Sequence, residues 1–173
     1  MENKKETIAE SIARLVASGA KLGQKTGAFM MPMSAKMRQL MENDRWKKVY
    51  TSTTYRVFDP PLDIRIGGEN VALGELLSQI GHTHWAFITA SNPYSRKMSL
   101  YENYKRNEVL HSDLNQYRVF KGEGKGDDGR WQPEQSFLAV GIHREVAVFL
   151  GRKYEQRAIV VGVGSQAELV MLA

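Results

Sequence analysis

Two groups of polar residues have the types and spacing to do chemistry. The first lies in 121–134, where Gly122, Gly124, Gly126 and Gly129 surround Asp127 and Asp128, with Trp131 and Glu134 close behind. Glycines allow backbone N–H groups to approach an anion closely. Asp127, Asp128 and Glu134 are a candidate set for Mg²⁺, which needs only one or two carboxylates beside waters and substrate oxygens. The segment is neither a GxxxxGK[ST] loop nor a GxGxxG turn opening a helix, because a strand follows it. Asp-Asp-Gly is also common turn chemistry. The alternatives at this stage are a structural turn, a ligand-contacting loop or a metal loop. Trp131 either pins the loop to the body or stacks on a flat ligand.

The second group is Thr89, Ser91 and Asn92, a hydroxyl–small–amide corner at the end of the apolar run 85–90. Groups at strand ends in α/β sheets are well placed for ligands. Asn103 and Asn107 stand four apart on the next helix and so share a face. An inward Asn107 requires hydrogen-bond partners, which the strand end can supply. One reading is a buried polar network that stiffens the fold. The sharper one is a polar pocket floored by Thr89, Asn92, Asn103 and Asn107 and lidded by the glycine segment through Gly124, Gly126, Asp127, Asp128, Trp131 and Glu134. His82 and His84 are two apart but lack an evident third ligand. No nucleophile elbow, HExxH or kinase signature is present, so whether the chain is an enzyme stays open, with non-enzymatic the preferred side.

These residues need a scaffold. Thr7 with Glu10 is spaced as a capping box, opening a helix with Ile8, Ile12, Leu15 and Leu22 on one stripe and Gly23 as its stop. Ser34 caps a second helix with Met33, Met37, Leu40 and Met41 in register. From Val49 the period changes to two, through Thr51, Thr53, Tyr55 and Val57, then Leu62, Ile64 and Ile66, with Pro60 and Pro61 at the turn. A short helix follows with Leu73, Leu76, Leu77 and Ile80. Then come a strand at 85–90, a helix capped by Ser99 and Glu102 with Leu100, Tyr104, Asn107, Leu110 and Leu114 inward, a strand at 117–121, a loop at 122–135, and a strand at 136–140. A helix at 144–154 with Val146, Phe149 and Leu150 inward precedes strands at 158–161 and 168–172. The order from 85 to 161 predicts an α/β (α+β) domain with a ferredoxin-like split βαβ core and extra antiparallel strands. Right-handed crossovers would put both of its helices on one face.

The chain has 173 residues, a net charge of +5 and no Cys. Disulfides, Cys-ligated zinc and cysteine nucleophiles are thereby excluded. Residues 1–50 hold ten Lys/Arg against five Asp/Glu, and the rest is balanced. This predicts a basic, Met-rich helical arm over 1–45 ahead of a single domain over 46–173. Arg14, Lys21, Lys25, Lys36 and Arg38, with Met33, Met37 and Met41, are the candidate contacts to an acidic partner or a sister subunit; a solvated basic face is the bland alternative. No apolar run is long enough to span a bilayer, and the charged start lacks the apolar core of a signal peptide. The expectation is a cytoplasmic protein.

The residues Ile88-Thr-Ala-Ser-Asn-Pro93, then Asn103, Asn107, Leu110, Asp113 and Leu114, the segment Gly122-Glu-Gly-Lys-Gly-Asp-Asp-Gly-Arg-Trp131, Pro133 and Glu134, Ser136-Phe-Leu138, and Gln156 together resemble a bacterial family, domain of unknown function 3293, over about 55–172. Ser91 stands where a larger, often aromatic residue is expected. The resemblance supports the domain limits and implies no activity. The preferred function is a non-enzymatic binding or regulatory module whose basic arm engages nucleic acid, an acidic protein or a sister subunit in a homo-oligomer. The alternatives are a small enzyme or sensor of a phosphorylated or nucleotide-like ligand at the Gly/Asp loop, or a structural component of a larger assembly such as that of a phage.

Overall fold

A computed structural model describes residues 33–129 and 131–172. The chain divides into two units, Met1–Ser34 and Ala35–Ala173, and the second is the one described below. The expected first helix, with Arg14, Lys21 and Lys25, lies outside the described residues.

Helix α1 (Ala35–Thr51) is continuous across the expected arm–domain boundary. The change of period at Val49 does not start a strand. In the hydroxyl run 51–53, Thr51 and Ser52 donate to the carbonyl of residue i−4 (Lys47 and Lys48), and Thr53 donates to that of Val49. Side-chain hydroxyls that bond backward in this way satisfy the last helical carbonyls. Strand β1 (Thr53–Val57) therefore begins only after the helix has been closed. Met37, Leu40 and Met41 stay exposed on α1 rather than packing in a core.

Strand β2 (Leu62–Ile64) returns against β1, followed by α2 (Val71–Ile80), which ends at Gly81 with φ 78°. Strand β3 (His84–Ile88), α3 (Leu100–Asp113), β4 (Arg118–Gly126), β5 (Glu134–Val140), α4 (Arg144–Lys153), β6 (Ala158–Val163) and β7 (Gln166–Met171) complete the chain. The seven strands form one sheet in the order β2-β1-β4-β5-β3-β6-β7, and every neighbouring pair is antiparallel. The class is thus a mixed α/β domain on an antiparallel seven-stranded sheet, with a helix at its N-terminal side, broader than a four-stranded ferredoxin-like unit.

Alternation along β3, β5 and β6 separates two cores. Ala86, Ile88, Phe137, Ala139, Ile159 and Val161 face α3 and α4, where Leu110, Leu114, Ala147 and Leu150 meet them. Trp85, Phe87, Leu138, Val140 and Val160 face the other way, toward Leu73 and Leu77 of α2 and toward Tyr55, Val57 and Ile64. Each fully buried large side chain contributes roughly 1.5–3 kcal/mol.

Two inward faces differ from expectation. On α4, Phe149 is 65% exposed and Val146 is 37% exposed, because the helix approaches the sheet on its small residues. A Cβ on Gly151 would stand 2.5 Å from Leu172 and 2.8 Å from Ile159. On α3, Leu100 and Tyr104 are exposed, while Asn107, Leu110 and Leu114 are buried.

The segment 122–135 is also not a loop from end to end. Residues 122–126 continue β4 and pair with β1, through Gly122 opposite Val57 and Gly124 opposite Tyr55. Glu134 and Gln135 already belong to β5. Gly122 is required there: a Cβ would lie 2.1 Å from the Arg56 carbonyl oxygen. These glycines serve close strand approach, the usual meaning of glycine inside a strand.

Candidate functional site

On the Tyr55–Phe87 face of the sheet, Gly124 and Gly126 bring no side chain, and space is left above β4. The C-terminal half of α1 roofs it. The result is a cavity of about 320 Å³ lined by, among others, Trp46 and Tyr50 of α1, Tyr55 of β1, Phe87 of β3, and Trp131 and Glu134. That volume lies at the lower end of the range of small-molecule sites.

Helix α1 is held over this space by specific contacts. Trp46 and Tyr50 are four apart, share one face, and have ring centroids 6.0 Å apart. The guanidinium of Arg157 lies 4.9 Å from the Trp46 ring and pairs with Glu42 at 3.2 Å. The Tyr50 hydroxyl bonds the Ser95 hydroxyl at 2.9 Å, and the Tyr55 hydroxyl donates to the Tyr50 carbonyl at 2.8 Å. Burial pushes the Tyr50 hydroxyl above its ordinary range, with nearby Glu134 adding to the effect.

The polar end of the cavity is built on the strand-end corner. Asn107, 1% exposed, accepts from the Ala90 amide at 2.8 Å and donates to the Ser91 hydroxyl at 2.9 Å and the Gln135 carbonyl at 3.2 Å. Thr89 donates to the same Gln135 carbonyl at 2.6 Å. Asn103 accepts from the Asn92 amide at 2.8 Å and donates to its side-chain oxygen at 3.0 Å. That network fixes Asn92, whose Nδ2 donates to Glu134 Oε1 at 2.6 Å. Trp131 Nε1 donates to the same oxygen at 2.5 Å. Glu134 Oε2 accepts no hydrogen bond from the described residues. Desolvation raises the Glu134 carboxyl above the usual Glu range, against the lowering effect of Asn92 and Trp131.

The backbone beside this corner is strained. Asn92, Tyr94 and Ser95 have φ of 46°, 50° and 58°, a left-handed conformation that costs non-glycine residues about 1–3 kcal/mol each. Partners hold it: the Tyr94 amide donates to the Glu155 carbonyl at 2.6 Å, and Ser95 to that of Asn92 at 2.8 Å. Gln156 donates to the Ser91 carbonyl at 3.0 Å and also lines the cavity. Strain of this kind clusters at ligand clamps and active sites.

Of the residues singled out from sequence, Thr89, Asn92, Gly124, Gly126, Asp128, Trp131 and Glu134 converge on this cavity. Asn103 and Asn107 stand behind it as supports and line a separate depression with Asn92, Trp131 and Glu134. Asp127 is not in the site: it turns outward to Arg65 at 2.8 Å and Thr54 at 3.3 Å. Among the described residues no group of three or more His, Asp or Glu gathers as a cation site. Asp127 turns to Arg65 and Thr54, so the three carboxylates Asp127, Asp128 and Glu134 are not brought together. His84 instead lies against His143, with ring centroids 4.7 Å apart.

Sequence reasoning missed α1 as a wall, together with Ser95 and the docking role of Arg157. The available signal was the helical spacing of Glu42, Trp46, Val49 and Tyr50, which the β-branched residues from Val49 onward obscured. No described helix is long and apolar enough to cross a membrane.

Residues 88–159 match a family model described as protein of unknown function (DUF3293). No curated protein and no solved structure matches the chain. The matched segment carries the polar end of the cavity, Thr89, Asn92, Trp131, Glu134 and Gln156, while the aromatic wall of Trp46, Tyr50 and Tyr55 precedes it.

Proposed function

We propose, for a chain whose residues 88–159 belong to the DUF3293 family, that it is a non-enzymatic ligand-binding, regulatory module. The cavity between α1 and the sheet takes a small, flat organic molecule that contacts the Trp46, Tyr50 and Tyr55 rings and turns a hydrogen-bonding end toward Glu134. One observation carries this reading: a desolvated carboxylate at the polar end of an aromatic cavity, with Oε1 fixed by Asn92 and Trp131 and Oε2 accepting from no described residue. Largely apolar walls with a few convergent polar groups are the usual composition of a small-molecule site.

Binding is favoured over catalysis because most of the polar groups at this end are held by one another. Glu134 Oε1 is doubly engaged, Tyr50 is tied to Ser95, and Asn92 is tied to Asn103. A phosphate cradle has less support, since Gly122 and Gly124 are paired on both sides by β1 and β5. In the same proposal, the basic segment that includes Lys36 and Arg38 meets an acidic partner or a sister subunit. Ligand in the cavity then changes how firmly α1 is docked.

A fragment screen by ligand-observed NMR on the full-length chain tests this, with Gly124→Leu as the control. A Cβ at Gly124 has its nearest neighbours at 3.9 Å, so the larger side chain grows into the cavity without a clash at its base. Fragments that bind the native protein and are lost in Gly124→Leu support the proposal. Fragments that bind both alike contradict it.

A further inference from the structure

We infer that the cavity is built for an organic cation, an aromatic or apolar body bearing an ammonium or guanidinium nitrogen that meets Glu134. This inference rests on the pocket reading above and names its ligand class.

The charges facing the cavity set the class. Glu134 projects from β5, and Asp128 lines the same space from the β4–β5 turn. Tyr50 faces them from α1 and Tyr55 from β1, both neutral phenols near neutral pH. Burial pushes both hydroxyls up, with Glu134 contributing. Arg45 lines the cavity from α1 one turn before Val49, with its guanidinium 5.9 Å from the Trp46 ring. Arg157 is engaged by Glu42, by the Trp46 ring and by the Tyr94 carbonyl at 3.3 Å, and Lys97 lines the separate depression on the other side of Asn92 and Glu134. The Glu134 carboxylate thus faces the interior with one oxygen that accepts from no described residue, while the guanidinium groups of Arg45 and Arg157 lie against the Trp46 ring.

A carboxylate drawn partly out of water takes up a proton more readily or is stabilised by a counter-charge. The two N–H bonds at Oε1 stabilise its charge but do not cancel it. A neutral ligand leaves that deficit in place, and an anionic one worsens it. A cation at Oε2 removes it. The walls suit the same ligand, because indole and phenol faces attract cations and gain strength where water is excluded. With Oε1 fixed by the Asn92 amide and the Trp131 indole, the carboxylate has one direction, and together with the aromatic faces it orients an amine rather than merely attracting it.

The experiment is a titration of the full-length chain with phenethylamine and with 2-phenylethanol, which share a body and differ in the charged end. Binding is followed through the indole N–H signals of Trp46 and Trp131. The amine is expected to bind tighter by on the order of tenfold. Its affinity should fall on acidification as Glu134 takes up a proton, while that of the alcohol stays flat. Glu134→Gln should abolish the preference and retain the alcohol. The pH profile of the native protein gives the same answer without any variant. An alcohol that binds as well as the amine, or an amine affinity indifferent to pH, overturns the cation class and leaves the pocket standing. If neither compound moves the indole signals the cation class also falls, and the Gly124→Leu comparison then decides the pocket by itself.

Discussion

The side-chain amide of Asn92 reaches 42 residues along the chain to hold Glu134 at 2.6 Å. This bond joins the strand-end corner of β3 to the first residue of β5, and so joins the two polar groups that stand out in the sequence. Every support behind it, Asn103 on Asn92 and Asn107 on residues 89–91, serves to aim one carboxylate at one cavity.

If that network positions the site, Asn107 is its most expensive member to remove. Asn107→Ala leaves the Ala90 amide and the Ser91 hydroxyl without their partner in a buried setting. The loss of stability should be on the order of 3 kcal/mol, given the cost of unsatisfied buried groups. Urea denaturation of the variant checks this. A loss no larger than that of an exposed alanine substitution would show that the network is not holding the corner.

Glu134 should affect stability in the direction opposite to most acids. Its carboxyl lies above the usual Glu range in the folded state, so folding favours the protonated form. That contribution is fully present below the unfolded-state value and is lost as pH rises through the folded-state value. Near neutral pH the ionised group therefore weighs against the fold. Glu134→Gln should melt higher than the native protein at neutral pH, and the gap should close in acid. Asp63, Asp113 and Asp127, whose carboxyls are held below the usual range by Arg56, Lys153 and Arg65 respectively, lose their contributions in acid in both proteins and cancel from the comparison. Melting temperature against pH for the pair measures the effect.

The two neighbouring glycines of β4 should respond oppositely to alanine. Gly122→Ala forces a Cβ to 2.1 Å from the Arg56 carbonyl, and the β1–β4 pairing must shift, at a cost on the order of 3 kcal/mol. Gly124→Ala meets nothing closer than 3.9 Å. It should change stability by less than about 1 kcal/mol. Denaturation midpoints of the two variants give the contrast directly.

Asp127 and Glu134 should separate in function. Asp127→Asn breaks an exposed pair with Arg65, of a kind that seldom adds measurable stability. Melting temperature and fragment binding should both stay at native values, whereas Glu134→Gln alters binding. A loss of fragment binding in Asp127→Asn would put the acidic turn back in the site.

Much of this was legible from local pattern. The Ser99–Glu102 capping box is present as spaced, with Ser99 Oγ accepting from the Glu102 amide at 3.2 Å. The buried strand at β3 and the need of Asn107 for partners were equally readable, because each depends on residues within a few positions. What failed was decided by tertiary structure. The glycines of 122–126 look like a loop until β1 is placed beside them. The run at Val49–Thr53 looks like a strand until its hydroxyls turn back on helical carbonyls. The partnership of Asn92 with Glu134 has no periodicity at all, since it depends on β3 and β5 lying side by side in register.

The site itself is tested most directly by the ¹H–¹⁵N spectrum of the full-length chain as the tightest fragment from the screen is added. The indole N–H signals of Trp46 and Trp131 and the amides of Tyr50, Asn92 and Glu134 should shift together and saturate at one concentration. Shifts confined to the opposite surface, around Leu100 of α3 and Phe149 of α4, with those five signals unmoved, would contradict it.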